Sequence, residues 1–162
     1  MITLCVPMNL WHTTRIALRS HAPDAIIKKI RTDTIEEPWS TYRQYWGTDD
    51  LMIVEQDIVI HEDVIPQFES CPEPWCLFPF PHYAEGGGLM MSGVGCNRFR
   101  REFMEAVTVE DIESQYASCI LCEGNNPRCW KHIDGRINDA GHARGFEIHV
   151  HYPPVGHRID MS

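Results

Sequence analysis

The most constraining feature of the sequence is an apolar run that stops at two acidic residues. Residues 51–54 are Leu-Met-Ile-Val, residues 55–57 are Glu-Gln-Asp, and apolar residues resume at 58–60. A continuous apolar run rich in Ile and Val predicts a strand that is buried on both faces. Because side chains alternate along an extended chain, we expect Glu55 and Asp57 to point to the same side, a short distance apart.

Two carboxylates held this close at the edge of a core repel each other unless a positive charge lies beside them. Mg²⁺ or Mn²⁺ would supply that charge, because hard metal ions take carboxylate oxygens as ligands. The alternative is a surface strand end with two solvated acids, since most Asp and Glu side chains are exposed. Glu55 and Asp57 are therefore either a metal site or an ordinary polar strand end.

The rest of the chain alternates strand-like and helix-like stretches. This alternation favours an α/β fold with a mainly parallel sheet flanked by helices, and 162 residues suit one domain over residues 1–162. Ligands bind such sheets at the carboxyl ends of the strands. The predicted strands are Ile2–Val6, Asp24–Ile30, Leu51–Val54, Trp75–Phe80 (placed at an edge because of Pro79) and Phe146–Val150, and the predicted helices are Trp11–Ser20, Thr41–Trp46, a short one after Asp63, Arg98–Val107 capped by Asn97, Val109–Ala117 and Trp130–Ala143.

Three histidines lie close together near residue 150 and supply a second set of candidate metal ligands. His149 and His151 share one face of the last predicted strand, and His157 follows a pair of prolines that let the chain fold back. Asp57 with His151, and with His149 or His157 as a helper, makes an oxygen-and-nitrogen site suited to Mn²⁺ or Mg²⁺. The expected ligand set is Asp57, His151 and His157, and the alternative is ordinary surface or core histidines.

The strand that runs into Glu-Gln-Asp-Ile-Val at 55–59 resembles the D-x-D-type metal motif of GT-A glycosyltransferases, with Glu55 in place of the usual first Asp. The order of the downstream pieces is also similar: Gly93-Val94-Gly95-Cys96 leading into a helix, Trp130 four residues before Asp134, and a terminal histidine. The set looks like the compact glycosyltransferases encoded by bacteriophages, some of which glycosylate hydroxymethylated pyrimidines in phage DNA. The resemblance covers residues 51–157 and, more loosely, the first strand.

This resemblance implies a GT-A-like (Rossmann-like) hexosyltransferase that uses Mn²⁺ or Mg²⁺ and moves a sugar from UDP-glucose or a similar donor to a 5-hydroxymethylpyrimidine. The ion would neutralise the charge that builds on the departing pyrophosphate. Asp134 would be the general base of an inverting reaction, although a first-turn acid that favours the helix dipole is the alternative, and a retaining enzyme needs no such base. The implied donor-binding residues are Pro7, Met8, Asn9, Glu55, Gln56 and Asp57, and the implied acceptor or sugar contacts are Gly93, Gly95 and Trp130.

Charge limits the choice of acceptor. A formal net charge of −9 opposes a broad basic face that grips nucleic acid. A DNA acceptor then requires a local basic patch, for which Arg98, Arg100 and Arg101 are the candidates, although a solvated helix face is the alternative for these arginines. A saccharide or protein acceptor is the alternative to DNA. No apolar run reaches the roughly 18 residues of a membrane span. The first residues do not resemble a signal peptide, so we expect a cytoplasmic protein (host cytoplasm if phage-encoded) with reduced cysteines.

Two rival functions remain open. Cys119, Cys122, Cys129 and His132 offer four ligands for a structural Zn²⁺, which would suit a small zinc-stabilised binding module. The alternative for these cysteines is buried thiols that pack as small apolar side chains. A phosphoester hydrolase or nuclease is the other rival, but such enzymes gather more carboxylates around two metals than the Glu55–Asp57 pair.

Overall fold

The computed structural model describes residues 1–31, 35–84, 87–91, 93–116 and 124–157. The strands are β1 (Ile2–Cys5), β2 (Ile26–Ile27), β3 (Leu51–Val54), β4 (Ile58–Val59), β5 (Trp75–Leu77), β6 (Phe80–Ala84), β7 (Gly87–Met91), β8 (Cys96–Phe99), β9 (His149–Val150) and β10 (Gly156–His157). The helices are α1 (His12–His21), α2 (Glu37–Tyr42), α3 (Val64–Ser70), α4 (Arg101–Ala106), α5 (Val109–Glu113) and α6 (Ile133–Ala143), with 3₁₀ turns at Arg43–Tyr45 and Trp130–His132.

The main sheet in the described part of the chain has six strands in the order β2-β1-β3-β8-β5-β9. Strands β1, β2, β3, β5 and β9 run in the same direction, because β8 is antiparallel to both of its neighbours. Two smaller ladders join β4 to β10 and β6 to β7. The predicted α/β fold with a mainly parallel sheet flanked by helices is therefore confirmed.

The central position of β3 follows from its apolar run. All four of its residues are 0% exposed. Leu51 and Ile53 join the core cluster that includes α2, α4, α5 and α6, whereas Met52 and Val54 join the cluster that includes α1 and α3. Helices thus cover both faces of the sheet, and the prediction of a central strand buried on both faces is confirmed.

The predicted helix over Arg98–Val107 is wrong in its first part. Residues 96–99 form β8, and α4 begins only at Arg101. Asn97 is not a helix cap; its side-chain oxygen accepts a hydrogen bond from Trp75 Nε1 at 3.2 Å, and its amide donates to Gly93 O at 2.7 Å. The helical spacing of Phe99 and Phe103 is a coincidence of a strand that runs into a helix.

The sheet edge also differs from the prediction. Strand β5 lies between β8 and β9 rather than at an edge, because Pro79 follows the strand and removes no hydrogen bond from its ladder. The strand at this edge of the sheet is β9, which is much shorter than the predicted strand over Phe146–Val150. Among the described residues, no helix combines the length and the apolar character that crossing a bilayer requires.

The packing of α6 against β5 and α4 can be tested with two glycines of the same helix. A Cβ at Gly141 would lie 2.7 Å from Trp75 Cζ3 and 3.2 Å from the Phe103 ring, whereas a Cβ at Gly135 would meet nothing within 4 Å. We expect Gly141→Ala to lower the free energy of unfolding by about 1–3 kcal/mol through overpacking. Gly135→Ala should raise it by up to about 1 kcal/mol, as measured by urea unfolding. Equal effects of the two changes would contradict this packing.

Candidate functional site

A cleft opens beyond the carboxyl ends of the neighbouring strands β1 and β3. Strand β1 is followed by α1 and β2 on one side, while β3 lies on the other side of β1. In open sheets, ligand crevices form at such a reversal of strand order. This first cleft is lined by Val6, Met8, Pro38, Tyr42, Glu55, Gln56, Asp57 and Trp130.

Gln56 joins the two loops that form the wall of the first cleft. Its side-chain oxygen accepts hydrogen bonds from the backbone N–H groups of Met8 and Asn9, both at 3.0 Å. Its backbone carbonyl accepts a further bond from Trp11 N at 3.1 Å. The Gln56 side chain, which was expected to contact a donor, therefore binds the protein's own backbone and holds the two loops together.

Asp57 lies beside His157 at the mouth of this region. Asp57 Oδ2 is 3.4 Å from His157 Nε2, and the two side chains are 15% and 6% exposed. The antiparallel pairing of β10 with β4 sets His157 opposite Ile58, and the imidazole stacks on Phe80 with ring centroids 5.5 Å apart. The structure thus brings together two of the three ligands expected for a metal ion.

The spacing of this pair fits a hard divalent ion. Adjacent ligands in the octahedral shell of Mg²⁺, with bonds of about 2.0–2.1 Å, lie roughly 3 Å apart. A separation of 3.4 Å between Asp57 Oδ2 and His157 Nε2 needs only a small side-chain adjustment to meet that value. The Asp57–His157 pair could therefore supply two of the ligands of a divalent ion.

His151 is not brought to Asp57. Its ring stacks on Phe78 with centroids 5.1 Å apart, and its Nδ1 lies 3.1 Å from Gln67 Oε1. Burial, with a smaller contribution from His149, lowers the pKa of His151. His151 follows β9 at the sheet edge, three strand positions from β3, which is about 14 Å at the usual strand spacing.

A second cleft adjoins the first and shares two of its residues, Glu55 and Trp130. Asp134 faces it from the first turn of α6. A Cβ at Gly93 would lie 3.2 Å from Asp134 Oδ2, so the absence of a side chain there leaves room for the carboxylate. The residues that line this second cleft are Glu55, Phe80, Gly93, Val94, Trp130, Lys131 and Asp134.

Glu55 lies between the two clefts in an acidic setting. Burial, and to a smaller extent the negative charges of Asp57 and Asp134, raise the pKa of its carboxyl from 4.5 to about 8. Burial, with smaller contributions from the charges of Glu55 and Asp57, also raises the pKa of the Cys5 thiol to about 12. Cys5 is therefore a neutral thiol rather than a nucleophile, and the chemistry of the site belongs to the carboxylates.

Three of the predicted contact residues lie outside both clefts. Pro7 and Asn9 line a separate depression together with Ile27 and Lys29. Gly95 serves packing, because a Cβ there would lie 2.5 Å from Phe80 Cε1, and its carbonyl accepts a hydrogen bond from Glu55 N at 2.9 Å.

The aromatic wall of the first cleft combines the predicted contact residue Trp130 with Tyr42, which was not predicted from the sequence. Tyr42 stacks on Trp130 with ring centroids 4.9 Å apart and ring planes at 18°, and its hydroxyl accepts a hydrogen bond from Val6 N at 3.2 Å. The run of aromatic residues from Tyr42 to Trp46 was the available signal, but its pattern indicated only a helical turn.

The expected basic patch for DNA does not exist as such. Arg98 is 1% exposed and donates to Glu73 O at 2.8 Å and to Cys71 O at 3.1 Å. Arg100 also donates to Cys71 O, and Arg101 lies 3.6 Å from Glu105. The prediction of a docking surface made by these three arginines is wrong, because two of them bond to backbone inside the protein.

The predicted zinc group lies only partly within the described residues. Cys119 and Cys122 are outside them, while Cys129 is buried and His132 is half-buried. In the described ranges, a different group could hold a metal ion: Cys71, His149 and His151.

Comparison with known proteins gives only a distant likeness. No protein-family model matches the chain, and no curated protein sequence matches it. The crystal structure of A197 from STIV aligns with a TM-score of 0.49 and 14% sequence identity, over 96% of this chain and 83% of that chain. A similarity of this degree does not assign an activity to the chain.

The raised pKa of Glu55 predicts how stability depends on pH without metal. The folded protein keeps the Glu55 proton up to about pH 8, while the unfolded chain releases it near 4.5. Stability therefore falls as pH rises through this window, by at most about 1.4 kcal/mol per pH unit for one proton. We expect Glu55→Gln to reduce this fall in urea unfolding between pH 5 and 8 with EDTA present. The exposed Glu62→Gln serves as control, and a pH profile unchanged by Glu55→Gln would contradict the assignment.

Proposed function

We propose that the chain is a metal-dependent glycosyltransferase of GT-A type that moves a sugar from a nucleotide-sugar donor to a hydroxyl acceptor. The observation that carries this proposal is a pair of adjoining clefts that meet at Glu55 and Trp130. One cleft has the Asp57–His157 pair beside it, and the other contains Asp134. A transferase needs two neighbouring substrate sites with different chemistry, whereas a binding module needs only one.

The first cleft suits the nucleotide part of a donor. It lies at the reversal of strand order, where α/β sheets bind nucleotides, and Tyr42 and Trp130 form one of its walls. Aromatic faces favour stacking with a base or a sugar ring. UDP-glucose is the donor that the resemblance to the phage enzymes suggests.

Asp57 and His157 would hold the divalent ion. A bound Mg²⁺ or Mn²⁺ supplies a Lewis acid that stabilises negative charge on the leaving diphosphate. Such an ion also offsets the repulsion among Glu55, Asp57 and Asp134. Without an ion the site disfavours a further negative charge, as the pKa of Glu55, raised to about 8, indicates.

Asp134 would remove the proton from the acceptor hydroxyl in an inverting reaction. Its carboxylate lies in the second cleft, next to Gly93. Asp134 Oδ1 also accepts a hydrogen bond from Gly135 N at 2.8 Å, which fixes the orientation of the carboxylate. A general base must reach the acceptor while other groups bind the donor, and the shared boundary at Glu55 and Trp130 gives Asp134 that position.

The acceptor is proposed as a hydroxyl compound, with a hydroxymethylated pyrimidine favoured by the resemblance. The net charge of −9 and the inward bonding of Arg98 and Arg100 weaken the case for a long DNA duplex. A screen with UDP-sugars and Mn²⁺ should therefore contain hydroxymethyl-containing DNA, the free nucleosides and simple saccharides, with product masses as the readout. If no sugar is transferred to any of these acceptors, the proposal is wrong.

The Asp134→Asn change tests the general base. It preserves size and removes the proton acceptor, so we expect transfer to fall by about 10²–10⁴-fold with nearly unchanged binding of Mn²⁺ and nucleotide. Asp139→Asn, an exposed position of the same helix, is the matched control and should keep the parental rate. Parental transfer by Asp134→Asn would make Asp134 only a helix-start residue.

The Asp57→Ala change tests whether Asp57 binds the proposed divalent ion. We expect it to weaken binding of Mn²⁺, and with it of the donor, by at least about 10-fold, since even outer-shell partners of metals contribute 10–100-fold. Calorimetric titration with Mn²⁺ and with UDP would measure both affinities, with Asp139→Ala as control. Unchanged Mn²⁺ affinity in Asp57→Ala would place the ion elsewhere.

A further inference from the structure

We infer a second metal site, for Zn²⁺ or a similarly soft divalent ion, formed by the thiolate of Cys71 and the imidazoles of His149 and His151. One ligand atom from each residue lies within 4.8 Å of the other two, and no other group of this kind occurs in the part of the chain that the structure describes. The site shares no residue with the Asp57–His157 pair. It does not rest on the proposed function.

Three separate backbone anchors hold these ligands. Cys71 ends α3, and its carbonyl accepts hydrogen bonds from the guanidinium groups of Arg98 and Arg100. His149 lies in β9, opposite Cys76 of β5. His151 follows that strand, and its N–H donates to the carbonyl of Leu77 at 2.8 Å. The ligands thus come from a helix end, a strand and a strand exit, as in a site that fastens elements together.

The surroundings of His151 are those of a metal ligand. Gln67 Nε2 donates to Tyr152 O at 3.1 Å, which orients the amide so that its Oε1 accepts a hydrogen bond from His151 Nδ1 at 3.1 Å. This bond leaves the lone pair on Nε2, which is buried and has no hydrogen-bond partner. Ligating histidines commonly donate their other ring N–H to an oxygen in this way.

The ring of His151 also has little freedom to turn. Phe78 stacks on it with centroids 5.1 Å apart, and Phe68 meets it edge-on at 5.7 Å. His149 contacts it at 4.7 Å with ring planes at 77°. Two aromatic rings and one amide therefore fix the imidazole of His151. Its second nitrogen is buried and unused, so it is available to bind a metal ion.

The ligand chemistry selects the ion. One sulfur and two imidazole nitrogens suit Zn²⁺ and disfavour Mg²⁺ and Mn²⁺. Tetrahedral zinc with bonds of about 2.3 Å to sulfur and 2.0–2.1 Å to nitrogen would set the three atoms about 3.3–3.6 Å apart. His149 is exposed, so its ring can close this gap without disturbing the core, and the open side leaves a fourth position for water.

Such an ion would fasten α3 to the sheet edge. Strand β9 has only two residues, both of them exposed, and the chain continues from it to His157 in β10. A bond network through zinc would hold this short strand, and the segment leading to His157, against the end of α3. Neither of the two clefts described above is lined by these three ligands, so we assign the ion to holding these elements together rather than to the proposed transfer.

Metal binding by the reduced, full-length chain tests this inference. After removal of metals with a chelator, the protein should take up about one equivalent of Zn²⁺ and gain thermal stability, because the ion binds only the folded form. Cobalt substitution should give a thiolate-to-metal charge-transfer band. Cys71→Ser should abolish that band, and His149→Ala, at an exposed position that leaves the fold intact, should abolish tight zinc binding.

Two further variants separate this site from other sources of zinc binding. Gln67→Ala should weaken zinc affinity by about 10–100-fold, the usual effect of losing the hydrogen-bond partner of a ligating histidine. His132→Ala, in the group that contains Cys119, Cys122 and Cys129, should bind zinc like the parent, as should Asp57→Ala. No zinc uptake by the parent, uptake retained in both Cys71→Ser and His149→Ala, or uptake lost in His132→Ala would each overturn the inference.

Discussion

The candidate site depends on the removal of water from the end of β3. The strand is buried on both faces, so the chain emerges from the core with Glu55 still half enclosed and Asp57 only 15% exposed. The carboxylates lose contact with water there, and each is repelled by the negative charge of the others. Burial and the charges of Asp57 and Asp134 raise the pKa of Glu55 to about 8, and the proposed cation would offset the cost of placing negative charge there.

Long-range order brings the remaining groups to this point. His157 arrives through the pairing of β10 with β4, and Asp134 arrives on α6 beside Gly93. Trp130 reaches the same region because Tyr42 stacks against it. Each contact joins parts of the chain far apart in sequence, so the candidate site is a property of the whole fold rather than of any one motif.

How much could be predicted from the sequence follows from the range of each interaction. Strand β3 was predictable because a continuous apolar run of this kind indicates a strand buried on both faces. Helix α6 was predictable because the spacing of its apolar residues along the chain is itself helical. Strand β8 was not, since Asn97 and Arg98 are buried polar residues whose partners, Trp75, Glu73 and Cys71, lie over 20 residues away. In the site, the placement of Asp57 near Glu55 was inferable from the strand end, whereas the separation of His151 from His157 depends on where β9 joins the sheet.

The contacts of Gln56 have a consequence for motion. Its two carbonyl oxygens bind three backbone N–H groups in the loop before α1, so the acidic turn and that loop form one mechanical body. The wall of the first cleft that carries Asp57 is therefore braced on both sides of Gln56. A molecule that enters this cleft meets a surface whose shape the protein's own backbone has already set.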